Sequence, residues 1–475
     1  MALISKIPAE IWLSIFEHVH VERQQLLSLA LGDRLGEPME EMTARLATSL
    51  HDLQPFPYAQ AAVCAQWRDV LKISPKFWTD VVLYTNQAYC GLDPEEILEF
   101  SDDLPIRIFI TYDQMASTRA LDNVEGDAVR RMLDVCRPHF KRCIWMRVDT
   151  VVYHSLPTLG YDLEGDLSVL KSLSFSTSFF THQTPQARDR MTIRMPCGLP
   201  VLTHLHIDGV TFLEATNRPF VWQHWADHVE GLVIDFFRST SATGSLDPSR
   251  VFRNVSGLGR LRTLSLRHLE FDVVESSGVP DVDDHCTLDT LERLVLDYIP
   301  SDATEWIFQA VFMPNLGNLK MSGGRWDEGV EIPFAGSMQL DRYDPNDAPM
   351  DMTWSGLTLF ISQSPEVDED FLEQLSEQRD GPGSERGCHN VGTLVFSNCP
   401  LVTVQGLKNL VEKRGEGIDY SNMDWFRESW SQPALHTLVV TAAPGAVPPT
   451  EEEWDWFESR LAMFIWKPST CVHRH

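Results

Sequence analysis

The chain has 475 residues, of which 43% are hydrophobic and 23% charged, a composition that argues against a disordered protein. Its 68 acidic and 39 basic residues give a formal net charge of −29, which argues against nucleic acid or an anionic membrane as the main ligand. No apolar run approaches the roughly 18 residues of a membrane span, and we expect no secretory leader. Nine cysteines without a CxxC pair indicate neither a disulfide framework nor a zinc knuckle, which favours the cytoplasm or nucleus.

The first predicted element is a short helix that opens at Pro8, because proline suits the first turn of a helix. Apolar residues recur along it in two neighbouring rows: Ile11, Ile15 and Val19, and beside them Trp12 and Phe16. This apolar stripe is wide for so short a helix.

A second apolar helix is predicted over residues 59–71, followed by a turn at Pro75 that carries Phe77 and Trp78. These short helices carry more large apolar side chains than they can hide from one another. Either the bundle packs on the rest of the chain, or one face is kept for a partner.

Three motifs recur in order within residues 6–83: IPAE at 7–10, IF at 15–16 and VCAQWR at 63–68. Together they resemble the F-box, with Ile7 where leucine is usual. Residues 21–58 add about 30 residues to the usual distance between the two helices, a departure from the motif that is similar to insertions in fungal F-box proteins. We therefore predict an F-box-like helical domain over residues 1–85.

The resemblance implies that the chain docks on a Skp-type adaptor and, through it, on a cullin. The residues at the matching motif positions, which would contact the adaptor, are Ile7, Pro8, Ile11, Ile15, Phe16, Val63, Cys64, Trp67 and Leu71. Some of these side chains could instead form the core of the bundle, and the sequence does not separate the two roles.

The pattern L-x-x-L-x-L recurs nine times downstream at irregular intervals, from Leu170 to Val440. Its fullest copy is Val391/Leu394/Phe396 with Cys399, which resembles cysteine-containing leucine-rich repeats; the copy before it is Trp354/Leu357/Leu359. We predict an α/β fold in which residues 86–449 form an irregular leucine-rich-repeat-like solenoid, with a parallel sheet and outer helices.

Residues 450–475 are predicted to be a C-terminal cap. Thr450 and Glu453 form a capping box, and Trp454, Phe457, Leu461 and Phe464 recur at helical spacing. The alternative is an acidic amphipathic tail that binds another protein.

Side chains between the repeat leucines should face outward, and His204 and His206 are among those predicted to contact a substrate. Arg267, Arg293 and Lys320 fall on three successive predicted strands, so they could lie within about 10 Å of one another. Such a basic spot could bind an acidic or phosphorylated segment of a protein substrate. The alternative is that these cations pair with the chain's own acids, such as Asp297 or Asp235.

No sequence signature of a hydrolase, a phosphate loop, a dinucleotide site or a zinc protease is present. His224 and His228 have a metal-ligand spacing but lack a third ligand. We therefore expect no catalytic residue, metal or cofactor. The predicted function is the substrate-recognition subunit of an SCF-type cullin–RING ubiquitin ligase; the alternatives are a non-ligase repeat scaffold and, more remotely, a hydrolase or metal enzyme.

Overall fold

A computed structural model gives the fold. It describes residues 7–31, 56–85, 92–112, 124–159, 162–179, 199–217, 222, 227–238, 246–272, 285–323, 332–344, 354, 356–376, 388, 390–416 and 435–468.

Fourteen strands form one large parallel sheet in which they follow one another in chain order. They are β1 Asp80–Tyr84, β2 Ile106–Thr111, β3 Cys143–Val152, β4 Ser172–Phe179, β5 His204–Asp208, β6 Gly231–Phe237, β7 Thr263–Leu269, β9 Arg293–Asp297, β11 Asn318–Ser322, β12 Ser337–Asp341, β13 Thr358–Ser362, β14 Thr393–Ser397, β15 Thr437–Thr441 and β16 Met463–Lys467. Two further short strands pair with each other, β8 Cys286–Thr287 and β10 Val311–Phe312.

Helices occupy many of the returns between strands. They are α1 Ala9–Leu31, α2 Tyr58–Val63, α3 Ala65–Lys72, α4 Pro94–Phe100, α5 Glu125–Cys136, α6 Gly209–Thr216, α7 Pro248–Ser256, α8 Ser301–Ala310, α9 Glu369–Ser376, α10 Val404–Arg414 and α11 Glu451–Glu458. Several begin at a capping side chain: Asp93 accepts from the amide of Glu95, and Thr403 from that of Gly406.

The repeat leucines form two buried rows across the sheet. Leu264, Leu294 and Leu394 are fully buried in register, and Leu266, Leu296 and Phe396 are nearly so two residues further on. Side chains of a strand alternate between its faces, so these rows face the helices and close a continuous core. The predicted α/β class, with a parallel sheet and outer helices, is confirmed.

The repeat pattern misplaced one strand and missed another. Leu357, which the pattern put in the core, is 64% exposed, because Leu359 and not Leu357 aligns with Leu394 on β14. Leu357, Leu359 and Ile361 have the same parity, so only pairing with neighbouring strands fixes the register. β12 lies in a stretch that the sequence analysis left without a repeat; it pairs with β11 and β13.

The predicted C-terminal helix is also shorter than expected. The capping box at Thr450 is present, but α11 ends at Glu458, and Phe464 lies in β16. Phe464 fits a helical spacing with Trp454 and Phe457, yet the sequence MFIWK also alternates as a strand does. Pairing with β15 favours the strand.

The chain divides into two compact units, residues 1–231 and residues 232–475. The N-terminal helices belong to the first unit together with β1 to β5. The predicted insertion over 21–58 begins within α1, which runs on to Leu31, and ends on Phe56 and Tyr58, which are buried. Residues 32–55 lie outside the described part of the chain.

Candidate docking site on the N-terminal helices

An aromatic cluster holds the N-terminal helices together. The ring of Trp12 on α1 lies 4.6 Å from that of Trp67 on α3, and Phe16 lies 5.3 Å from Trp67. Phe56 then links Phe16 to Phe77, at 6.2 and 5.2 Å. Large apolar side chains that the short helices could not bury alone are therefore covered by residues on both sides of the predicted insertion.

The same segment seals the outer edge of the first strand of the sheet. The Tyr58 hydroxyl donates to the carbonyl of Asp80, at 2.9 Å, and accepts from the amide of Val82, at 3.2 Å. Both backbone groups belong to β1, on the side away from β2, so a single side chain takes the place of a neighbouring strand. The Trp78 indole, fully buried beside it, donates to the carbonyl of Leu71.

Three aliphatic side chains of the predicted adaptor set remain exposed. Ile11 and Ile15 are 52% and 44% exposed on successive turns of α1, and Val63, the last residue of α2, is 57% exposed. The buried aromatic row of Trp12 and Phe16 lies beside the isoleucines on α1 and fixes their direction. The helices thus bury one apolar row and present another to solvent.

The other predicted adaptor contacts are less accessible or lie at the rim. Phe16 and Leu71 are core residues of the segment itself. Pro8 is exposed, whereas Ile7, Cys64 and Trp67 are partly exposed. Cys64 is an extended residue between α2 and α3, so the single predicted helix over residues 59–71 is two helices with a break at this position.

The predicted basic spot is more dispersed than the sequence indicated. Arg293 lies opposite Thr263 in the ladder, whereas Arg267 lies opposite Asp297, four residues further along the strands. Arg267 and Arg293 therefore have backbones about 14 Å apart, beyond the predicted 10 Å. Asp297, the acid that the alternative interpretation named, is the ladder neighbour of Arg267. Lys320 lies opposite Val295 on the next strand.

His204 and His206 occupy the predicted outward face of β5, but they are poorly exposed. His206 is buried and its Nδ1 lies 3.1 Å from the hydroxyl of Ser174. His204 is partly exposed, and burial lowers its pKa although Glu230 opposes the shift. The two histidines therefore offer less exposed surface for contact with a substrate than the alternation of side chains along the strand predicts.

The described residues contain no group of three or more His, Cys, Asp or Glu side chains able to hold a metal ion. His224 lies outside them.

Cys399 is buried, as its place in the repeat predicts, and burial raises the pKa of its thiol. Its sulfur donates to the carbonyls of Ile361 and Ser397, both at 3.7 Å, which is a structural role.

None of the helices in the described residues is both long and apolar enough to cross a membrane.

No protein-family model matches the chain, and no curated protein matches it significantly. Among solved structures, the chain resembles one from the crystal structure of a complex of Rad7 and Elc1 in yeast. The match has 14% sequence identity and a TM-score of 0.33, and covers 97% of this chain and 96% of the other. The likeness is therefore remote.

Proposed function

We propose that the chain is the substrate-recognition subunit of an SCF-type cullin–RING ubiquitin ligase. In this proposal the N-terminal helices dock on a Skp-type adaptor, which connects them to a cullin, and the repeat sheet holds a protein substrate. The chain carries out no chemistry, has no cofactor and acts in the cytoplasm or nucleus. Its contribution is to raise the local concentration of the substrate near the ubiquitin-conjugating enzyme.

The observation that carries the proposal is the exposure of Ile11, Ile15 and Val63, which lie in the segment that resembles the F-box and belong to the predicted adaptor contacts. A segment whose only task is to cap the sheet would turn its apolar side chains inward, as Tyr58 and Trp78 do. Exposed apolar side chains grouped on one segment mark protein interaction sites, whose centres are poor in charged residues.

The test is co-expression of the full chain with a Skp-type adaptor, followed by size-exclusion chromatography and titration. We expect a stable complex, and we expect Ile11→Asp combined with Ile15→Asp to weaken it at least about ten-fold, because charges replace buried interface contacts. Ile73→Asp is the matched control: it is an exposed isoleucine of the same segment outside the predicted contacts. Folded chain that ignores the adaptor would contradict the proposal.

A second candidate function is a repeat scaffold whose N-terminal helices only cap the sheet. The two hydrogen bonds of Tyr58 to the edge of β1 favour a capping role. Capping and docking use different faces of the segment, so they are compatible. Scaffold function alone requires that Ile11→Asp and Ile15→Asp leave every protein interaction of the chain unchanged.

A further inference from the structure

The last strand of the sheet has a neighbour on one side only. β16 pairs with β15, and no strand in the described residues pairs with its other edge. Its Met463 amide donates to the carbonyl of His436, and its Lys467 carbonyl accepts from the amide of Ala442. Backbone groups alternate in direction along a parallel strand, so the amides and carbonyls of Phe464 and Trp466 face the outer edge.

The side chains on this edge are those that edge strands usually avoid. Met463 is 50% exposed, and Ile465 and Trp466 are partly exposed. Natural edges are protected by charges, prolines or bulges. Here Lys467 and Pro468 stand only at the end of the strand, and the four preceding residues are uncharged.

One face of β16 nevertheless packs against α11. Phe464 stacks on Phe457 of α11 with 4.2 Å between ring centroids, and lies 5.0 Å from the ring of Trp454. A rigid strand with an open edge loses little conformational entropy on pairing, which favours binding over fraying. The first strand offers no such edge, because Tyr58 already bonds two of its outer backbone groups.

We propose that β16 binds an extended segment of another protein, which adds to the sheet as one more parallel strand. Apolar residues of that segment would lie against Phe464 and Trp466, and continue the two buried rows of the sheet. An acidic residue would lie beside Lys467, which is exposed and has no ion pair with a described residue. A partly buried tryptophan at this position is a typical anchor of a protein interface.

A second copy of the chain fits this edge less well than a foreign segment. Two copies that met through this edge would be related by a two-fold axis and would pair antiparallel, so a second copy would not continue the parallel sheet. It would also bring another net charge of −29. The proposal concerns a different surface from the adaptor site and does not depend on adaptor docking.

The probe is a short fluorescent peptide that contains TLVVE. The sequence TLVVT is that of β15, residues 437–441, which already pairs with the inner edge of β16; the final glutamate is placed to meet Lys467. We expect the peptide to bind the full chain, measured by fluorescence anisotropy, and to slow amide hydrogen exchange of Phe464 and Trp466. TLVVK is the matched control peptide and should bind at least about two-fold more weakly.

Two variants test the assignment. Lys467→Glu should reverse the preference, so that TLVVK binds better than TLVVE. Trp466→Pro should abolish binding of both peptides, because it removes an amide from the outer edge while the ladder to β15 keeps its hydrogen bonds. Circular dichroism checks that each variant is folded, and the Lys467→Glu reversal remains a test if Trp466→Pro is not.

Three outcomes would overturn the proposal. The first is a pair of peptides that bind equally, or not at all, to the wild-type chain. The second is protection of the Phe464 and Trp466 amides without peptide that disappears when residues 469–475 are deleted, which would assign the edge to the chain's own tail. The third is protection that rises with protein concentration, which would assign it to a second copy.

Discussion

β1 and β16 are the two outermost strands of the sheet, and they differ in how their outer backbone groups are covered. At β1, the Tyr58 hydroxyl bonds to Asp80 and Val82, and Trp78 is fully buried nearby. At β16, no described side chain takes that role, and Trp466 is partly exposed. A repeat array needs a cap at each end because every repeat buries its core against its neighbours. The difference shows that a cap can close an edge or only support it from beneath.

The largest expected difference between the two edges comes from their tryptophans. Trp78→Ala should lower the free energy of unfolding by about 3–5 kcal/mol, because it empties a fully buried site. Trp466→Ala should cost about 1 kcal/mol or less, since the side chain keeps contact with solvent. Denaturant titration of both variants measures the difference, and equal losses would show that the edges are equally closed.

The Tyr58 hydroxyl should account for a smaller share of the stability of the sealed edge. Tyr58→Phe leaves the Asp80 carbonyl and the Val82 amide without that partner, which should cost about 1–3 kcal/mol. Tyr298→Phe is the control, because Tyr298 is exposed and its hydroxyl accepts a hydrogen bond from the Arg342 guanidinium. A Tyr58→Phe loss no larger than that of Tyr298→Phe would remove the edge-sealing role.

Acid should affect the first unit through His204. Burial lowers the pKa of His204 below its ordinary value, so the folded state binds fewer protons than the unfolded state. The free energy of unfolding should therefore fall as the pH drops through about 6.5. In His204→Gln this decline should be shallower between about pH 7 and pH 5. Chemical denaturation at several pH values measures it, and an unchanged slope would contradict the assignment.

The smallest expected effect concerns the ion pair between Lys76 and Glu17, which joins the turn before β1 to α1. The two charged atoms lie 2.8 Å apart, but both side chains are about half exposed. Lys76→Gln should change the free energy of unfolding by less than about 0.5 kcal/mol, and less still at high salt. A larger loss would mean that this ion pair contributes substantially to the free energy of unfolding, beside the aromatic cluster.

The sequence could predict the elements whose signal is local. The repeat leucines identify most strands, because each buried pair is read from a fixed spacing, and the capping box at Thr450 marks the start of α11 correctly. The predictions for Leu357 and for the segment that forms β16 were wrong because their signal is not local. Their placement depends on which neighbouring strands they pair with, and those strands lie at least 21 residues away in the chain.

The candidate site was predictable in part. The F-box-like motifs identify the apolar residues of the N-terminal helices, but they do not divide them into a buried row and an exposed row. The buried row is the one that packs on Trp67 and on Phe56, which lies at the end of the predicted insertion. The role of Tyr58 has no local signal at all, since its partners are 22 and 24 residues away.

The most direct test of the account is amide hydrogen exchange of the full chain with and without a Skp-type adaptor. If one face of the N-terminal helices caps the sheet and the other docks, the adaptor should slow exchange in α1 and α2 while β16 keeps the rate of the free chain. Unchanged exchange in α1 and α2 in the presence of excess adaptor would contradict the account and leave these helices as a cap alone.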